Sequence, residues 1–113
     1  MKVDGTNINI VRGDTGAIEV GCNDEHGEPM LFEVGDVVYF TVKNKPTDEE
    51  IVLQKAVTSF DNGKATIELN HADTKDLPFK KYVYDIQWTR YNGDVHTLVR
   101  PSDFLVDFEV TYD

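Results

Sequence analysis

The sequence has little cysteine and no long apolar run, and each shortage excludes a class of protein. A single cysteine, Cys22, excludes an internal disulfide and a zinc site built from several thiolates of one chain. No segment approaches the ~20 consecutive apolar residues that a membrane-spanning helix needs. The N-terminal MKVDGTNINI also lacks the apolar stretch of a secretory signal peptide, so the sequence predicts synthesis in the cytoplasm.

Basic residues are also scarce. Eleven lysines and arginines stand against 21 aspartates and glutamates, which gives a net charge of −10. Nucleic acids and anionic membranes bind cationic surfaces, so neither is expected as the principal partner. The acidic balance favours a neutral or basic partner instead. At 113 residues the chain is predicted to form a single domain, residues 1–113, which buries roughly 65% of its unfolded surface.

Motifs for catalysis and for metal binding are missing. His26, His71 and His96 lie far apart in the sequence, and none belongs to an H-x₃-H or H-E-x-x-H motif. The simplest interpretation is three solvated surface histidines. No G-x-S-x-G motif surrounds the possible nucleophiles, which are Ser59, Ser102 and Cys22. We therefore predict no catalytic residue, metal ligand or cofactor, and we expect that the chain is not an enzyme.

Three acidic loops and one tripeptide offer ligand chemistry of other kinds. Calcium prefers oxygen ligands, which are present at Asn23-Asp24-Glu25, Asp48-Glu49-Glu50 and Asp61-Asn62. None has the spacing of an EF-hand loop, so solvated acidic loops are the simpler interpretation and a calcium-dependent adhesive module is the alternative. Arg12-Gly13-Asp14 matches the tripeptide that adhesion receptors recognise, but Gly-Asp is also ordinary turn chemistry.

Residues 81–100 carry the clearest structural signal. Every second residue from Tyr82 to Trp88 is large and apolar or aromatic, the period of a strand with one buried face. Asn92-Gly93 follows and predicts a two-residue type I′ hairpin turn, with Tyr91 opposite Asp94. The register predicted from this turn pairs Ile86 with Val99, Trp88 with Thr97, Asp85 with Arg100 and Thr89 with His96.

Similar alternation predicts the other strands. The residues expected to face the core are Ile8 and Ile10; Ile18, Val20 and Cys22; Val38, Phe40 and Val42; Ala65, Ile67 and Leu69; and Phe104, Val106, Phe108 and Val110. The segment 51–57 places Lys55 on the same face as its apolar residues, which predicts an edge strand or a bulge. Asp61-Asn62-Gly63 predicts a second hairpin-type turn, and Asn70 to Phe79 a single helical turn or an irregular crossover.

About eight short strands separated by turns, with at most one short helical turn, predict an all-β fold. The favoured architecture is an antiparallel β-sandwich of the immunoglobulin-like kind, and a small β-barrel is the alternative. Aromatic residues also allow a carbohydrate-binding β-sandwich module, with Tyr39, Tyr91 and Trp88 as its platform. Tyr82, Tyr84 and Trp88 lie on the face expected to be buried, however, so core packing is their main interpretation.

Seven segments occur in an order that resembles a known family. They are VRGDTGAI (11–18), GDVVYFTVK (35–43), IVLQKAV (51–57), ADTKDL (72–77), YVYDIQ (82–87), GDVHTLV (93–99) and FLVDFEVT (104–111). They are spread in order between residues 11 and 111, so the resemblance extends over nearly the full chain. The segments resemble the N-terminal domain of phage baseplate upper proteins and the small prophage proteins built on that domain.

The resemblance implies a non-enzymatic structural or adaptor protein of a phage or prophage tail. It implies contacts with other tail or baseplate proteins and with further copies of the chain, and exposed strand edges are expected to be available for pairing. The protein would be synthesised in the cytoplasm and then assembled into the virion. The family supplies no catalytic residues, and the residues that form its binding surface are unknown.

Overall fold

The computed structural model describes residues 1–109, which contain ten strands and one short helix. The strands are β1 (Lys2–Asp4), β2 (Asn7–Val11), β3 (Gly16–Val20), β4 (Cys22–Asn23), β5 (Pro29–Met30), β6 (Val37–Lys43), β7 (Leu53–Val57), β8 (Ala65–Leu69), β9 (Lys80–Thr89) and β10 (Val95–Asp107). The helix α1 (His71–Thr74) is the single helical turn that the sequence predicts between β8 and β9.

The fold is all-β and sandwich-like. Six strands form one sheet in the order β1-β2-β10-β9-β6-β7, β3 pairs with β8 in a second sheet, and β4 pairs with β5. The large sheet does not close on itself, so the barrel alternative is wrong. The expectation of a purely antiparallel fold also needs correction, because β2 and β10 run parallel. These strands lie near opposite ends of the chain, and side-chain alternation carries no information about their relative direction.

The core lies between the six-stranded sheet and the β3–β8 pair. Val38, Phe40 and Val42 of β6 have no exposed surface, and Ala65 and Ile67 of β8 meet them from the other layer. The predicted inward residues of β2 and β9 are buried as well. Val20 of β3 is buried, whereas Ile18 of β3 and Cys22 of β4 are partly buried against the core.

Two assignments at the rim of the core differ from expectation. Phe32 was not predicted to be buried, yet it is 4% exposed, and its ring centroid lies 4.9 Å from that of Trp88. Phe108 was predicted to be buried, yet it is 60% exposed and packs edge-on against Phe79 at the surface. Strand β10 ends at Asp107, so the alternation that buries Phe104 and Val106 does not extend to Phe108. The prediction for Val110 lies outside the described residues.

The β9–β10 hairpin exists, but its turn has three residues rather than two. The amide of Arg90 donates to the carbonyl of Asp94 (2.8 Å), and the amide of Gly93 donates to the carbonyl of Arg90 (2.9 Å). Gly93 has a φ of +94°, whereas Asn92 is not in the left-handed region. This geometry corresponds to a type I turn followed by a left-handed glycine, which an Asn-Gly pair also permits. Tyr91 is therefore not opposite Asp94.

The longer turn shifts the strand register by one residue next to the turn, and a first irregularity in β10 restores the predicted register at Val99. Trp88 pairs with His96 rather than with Thr97, and Thr89 pairs with Val95 rather than with His96. The register changes between Thr97 and Val99, so Ile86 pairs with Val99 as predicted. A second change between Val99 and Ser102 removes the predicted pairing of Asp85 with Arg100. Bulges of this kind insert residues without disturbing the inward face of the partner strand, so the alternation in β9 survives.

The type I′ turn occurs instead at Asn62-Gly63. Both residues have positive φ, +53° and +72°, and the flanking Asp61 and Lys64 exchange two backbone hydrogen bonds of 3.0 Å. The predicted turn is thus confirmed, although it connects strands of different sheets. Strand β7 lies at the edge of the six-stranded sheet, which confirms the edge prediction that was based on Lys55.

Candidate functional site

One face of the six-stranded sheet is turned away from the core. On each strand the residues that alternate with the core residues point to the opposite side, and none of them is fully buried. We call this surface the outer face. At paired positions it comprises Lys2, Asp4, Asn7, Asn9, Val11, Val37, Tyr39, Thr41, Lys43, Gln54, Ala56, Lys81, Val83, Asp85, Gln87, Thr89, Val95, Thr97, Asp103, Leu105 and Asp107.

Two shallow depressions mark the outer face. The first has a volume of about 250 Å³ and lies over β6, β7 and β9, with lining residues that include Thr41, Lys43, Gln54, Asp85 and Gln87. Within it, Nε2 of Gln54 donates a hydrogen bond to Oγ1 of Thr41 (3.0 Å). The remaining polar groups in this depression are placed to bind hydroxyl, amide or charged groups of a partner.

The second depression, of about 230 Å³, lies over β1, β2, β9 and β10. Lys81 and Asp103 line it, and Nζ of Lys81 lies 3.9 Å from Oδ2 of Asp103. Oδ1 of Asn7 accepts a hydrogen bond from the amide of Asp103 (3.0 Å), which fixes the neighbouring backbone. Both depressions therefore combine cationic, anionic and neutral polar side chains.

Asp85 is the outer-face carboxyl group whose protonation is most affected by its surroundings. Partial burial raises the pKa of Asp85 above its ordinary value, and the positive charge of Lys43 opposes this effect only in part. A carboxylate that is already partly desolvated loses less hydration when a partner covers it. Asp85 is accordingly suited to lie inside an interface.

The charge of the outer face differs from that of the molecule as a whole. Its paired positions hold three lysines and four aspartates, a net charge of −1, so −9 of the chain's −10 lies elsewhere. The solvent-facing side of β3 and β8 shows the contrast, since Glu19 and Glu68 are exposed there. The outer face is thus a nearly neutral region on an acidic protein.

Both edges of the six-stranded sheet carry features that oppose strand pairing. Strand β1 has three residues, and two of them, Lys2 and Asp4, are charged. In β7, Lys55 points toward the inner face, where its Nζ lies 2.8 Å from Oδ2 of Asp73 in α1. Short charged edges and inward-pointing lysines are common protections against edge-to-edge association. The sheet face is therefore a better contact surface than the edges.

The three histidines lie in three separate environments. His26 is exposed in a loop beside Glu25, with 3.5 Å between Nε2 and Oε1. His71 donates from Nδ1 to the carbonyl of Gly13 (2.7 Å), and His96 packs against the ring of Trp88 at 5.2 Å. Among residues 1–109, no group of three or more histidine, cysteine, aspartate or glutamate side chains is placed to hold a metal ion.

The acidic loops and the possible nucleophiles have local roles. Oδ1 of Asp24 accepts hydrogen bonds from the amides of His26 (2.8 Å) and Glu28 (2.9 Å), so this carboxylate closes its own loop. Ser102 bonds through Oγ to Oγ1 of Thr6 (2.7 Å) and to the carbonyl of Arg100 (2.8 Å). Cys22 is a partly buried free thiol, and Ser59 is exposed in the segment that follows β7.

The adhesion-like tripeptide is integrated into the fold. Arg12 donates from Nη2 and Nε to the carboxylate of Glu109 (2.8 and 3.1 Å), and this hydrogen bonding lowers the pKa of Glu109. The amide of Gly13 donates to Oγ1 of the buried Thr74 (2.8 Å). An arginine held in this way is not presented to a receptor, so Arg12-Gly13-Asp14 serves as a structural turn against α1.

The aromatic residues divide between the core and the surface. Tyr82, Tyr84 and Trp88 are 1–4% exposed, so core packing is confirmed and Trp88 cannot form part of a binding platform. Tyr39 lies half-buried on the outer face, between Ala56 and Gln87. Tyr91 is 63% exposed in the hairpin turn.

Asp36 is a key residue that the sequence analysis did not identify. Its side chain is buried and accepts hydrogen bonds from the amide of Glu33 (2.9 Å), the amide of Tyr91 (2.9 Å) and Nε1 of Trp88 (3.1 Å). Burial alone would raise the pKa of Asp36, but these hydrogen bonds and the charge of Arg90 outweigh it and lower the pKa. The one feature of the sequence that could have indicated this role is the position of the aspartate, after Gly35 and directly before an apolar strand.

No family model matches the chain, and neither does any curated protein sequence. The resemblance to baseplate upper proteins therefore rests on the ordered sequence segments alone. Within residues 1–109, no helix is long and apolar enough to cross a membrane.

Proposed function

We propose that the chain is a non-enzymatic structural or adaptor protein of a phage or prophage tail, acting through protein–protein contacts. The tail assignment is supported by the seven ordered segments that resemble the baseplate upper protein domain. The observation that carries the contact function is the outer face, a broad and nearly neutral sheet surface on an acidic protein. Its partners in the tail are other baseplate proteins and further copies of the chain.

The composition of the outer face suits protein contacts. Val37, Tyr39, Val83 and Leu105 supply apolar area there, and they are interspersed with amides, hydroxyls and paired charges. Interfaces between proteins that also exist separately have this mixture, with aromatic and aliphatic groups near the centre and polar groups around them. Each partly exposed apolar side chain that a partner covers adds roughly 25 cal/mol per Å² of buried apolar surface.

The genes that flank this one provide the first test. Tail tape-measure, distal-tail or lysis genes beside it are the expected result, and their products can then be co-expressed with the tagged chain. We expect at least one tail protein to co-purify in a fixed ratio. A neighbourhood of metabolic or secretion genes, together with no co-purifying product, would contradict the proposal.

A carbohydrate-binding module is the second candidate, and one observation favours it. Tyr39 lies beside Gln87, which lines the first depression together with Asp85 and Gln54. An aromatic ring next to hydrogen-bonding side chains is the arrangement that binds sugar rings. Because Trp88 is buried, its fluorescence would not report such binding.

Backbone amide NMR shifts during titration with cell-wall polysaccharide give a suitable test of this second candidate. Shifts confined to Tyr39, Gln54, Asp85 and Gln87 would support it, whereas an unchanged spectrum would dispose of it. Tyr39→Ala is the informative variant, since it removes the ring and leaves the polar groups in place.

A further inference from the structure

We propose that the outer face binds a second copy of this chain, so that the protein forms a twofold-symmetric dimer through its six-stranded sheets. The proposal rests on the assembly function proposed above and names the first partner in that assembly. Three features of the outer face carry it: the distribution of charge, the mixture of side chains and the extent of the surface.

The charge distribution favours this face over the solvent-facing side of β3 and β8, where Glu19 and Glu68 are exposed. Two molecules of net charge −10 repel each other most strongly where their acidic surfaces meet, and a net charge of −9 lies outside the paired positions of the outer face. A like-charge contact costs several kcal/mol at an interface. A second copy can therefore approach the outer face with little net repulsion.

The outer face is also complementary to itself. A twofold interface brings the same surface of both molecules together, so each cation on one copy needs an anion available on the other. Both depressions provide this combination, with Lys43 and Asp85 in the first and Lys81 and Asp103 in the second. A basic protein would bind better to the acidic surfaces elsewhere, so a copy of the same chain is the partner that this near-neutral pattern fits.

The surface is large enough. A standard interface involves roughly 20 to 30 residues on each side, and the outer-face residues given above reach the lower end of that range. Tyr39, Val83 and Leu105 provide apolar area between the charged groups. In such a dimer the acidic surfaces point outward, where they remain accessible to neutral or basic components of a tail.

Sedimentation equilibrium of the purified protein tests the proposal, over concentrations from about 1 to 200 μM. Two variants add a negative charge to the outer face, Thr97→Glu and Gln87→Glu, and these residues are paired across β10 and β9. Thr66→Glu is the matched control, because Thr66 is an exposed strand residue on the solvent-facing side of β8. Thermal melting followed by circular dichroism establishes that all three variants are folded.

We expect the wild-type protein to form dimers within this range. Thr97→Glu and Gln87→Glu should each raise the dimer dissociation constant at least about tenfold, which corresponds to ~1.4 kcal/mol, while Thr66→Glu should change it less than threefold. A wild-type protein that is monomeric at 200 μM would overturn the proposal, as would a dimer that the control variant weakens as much as the outer-face variants do. A monomer that still co-purifies with a tail protein would remove the dimer and leave the proposed tail function standing.

Discussion

Replacement of Asp36 is the perturbation whose effect follows most directly from the structure. Its carboxylate accepts three hydrogen bonds, which tie the segment before β6 to Trp88 in the core and to the hairpin turn at Tyr91. In Asp36→Ala these donors lose the carboxylate of a residue that is 1% exposed; the bond from Trp88 is buried, and the bonds from the amides of Glu33 and Tyr91 are partly buried. A hydrogen bond to a charged group contributes roughly 1.5–3 kcal/mol.

The three bonds are not fully additive, because the amide of Glu33 lies in an exposed turn and can bind water instead. Counting Trp88 and Tyr91 alone, we expect Asp36→Ala to lower the free energy of unfolding by ~3–5 kcal/mol. That loss is a large part of the roughly 5–15 kcal/mol that stabilises a typical domain. Urea unfolding measures it, with Asp94→Ala as the control, because Asp94 is exposed in the same hairpin and its carboxylate accepts a hydrogen bond from Nδ2 of Asn92 (3.3 Å). A loss below ~1 kcal/mol for Asp36→Ala would refute the reasoning.

The same residue predicts a dependence on pH. The pKa of Asp36 lies below its ordinary value of 3.8 in the folded protein. Its contribution to stability is therefore fully present above pH 3.8 and is lost as the pH falls through the lower folded value. Asp36→Asn removes this titration, so between pH 3.8 and more acidic conditions its unfolding free energy should fall less steeply than that of the wild type.

Three further predictions test the turns and the core. Gly63→Ala should destabilise the fold by ~1–3 kcal/mol more than Gly93→Ala. Both glycines have positive φ, but only a Cβ at Gly63 would lie 2.6 Å from Cβ of Leu31. Equal losses of stability in urea unfolding would show that the Leu31 contact relaxes freely. Gly93→Val should cost ~1–2 kcal/mol through backbone strain alone, since no heavy atom beyond the two adjacent residues lies within 4 Å of an added Cβ. Retained stability would contradict the three-residue turn. Trp88, the single tryptophan, is 1% exposed, so its fluorescence should have a short emission wavelength and resist quenching by acrylamide. Fluorescence typical of solvated tryptophan would place the indole outside the core.

The strands could be predicted from the sequence because their alternation is a local property. Val38, Phe40 and Val42 lie on one face of the strand whichever strands pair with it, so alternation alone identified them as the residues that the core buries. Lys55 broke the alternation of its strand and correctly indicated a sheet edge, and the contact that explains it, with Asp73 in α1, became visible only in three dimensions.

The turns and the outer face could not be derived in the same way. Asn-Gly occurs twice, and it forms a type I′ turn at Asn62-Gly63 but the end of a three-residue turn at Asn92-Gly93. The dipeptide permits both geometries, so the choice is made by the strands on either side. The outer face depends on the strand order, which brings β2 beside β10 although they lie far apart in the chain. Neither depression could be located before that order was known.

The central claim is that this chain is a component of a phage tail, and isolated tails test it most directly. The whole gene cluster that contains this chain can be expressed, and particles of tail size separated from free protein on a density gradient. Mass spectrometry of the fractions then measures where the chain migrates. The account predicts that it sediments with the tail proteins in a constant ratio. A chain found only in the free protein fraction, from particles that are otherwise complete, would contradict it.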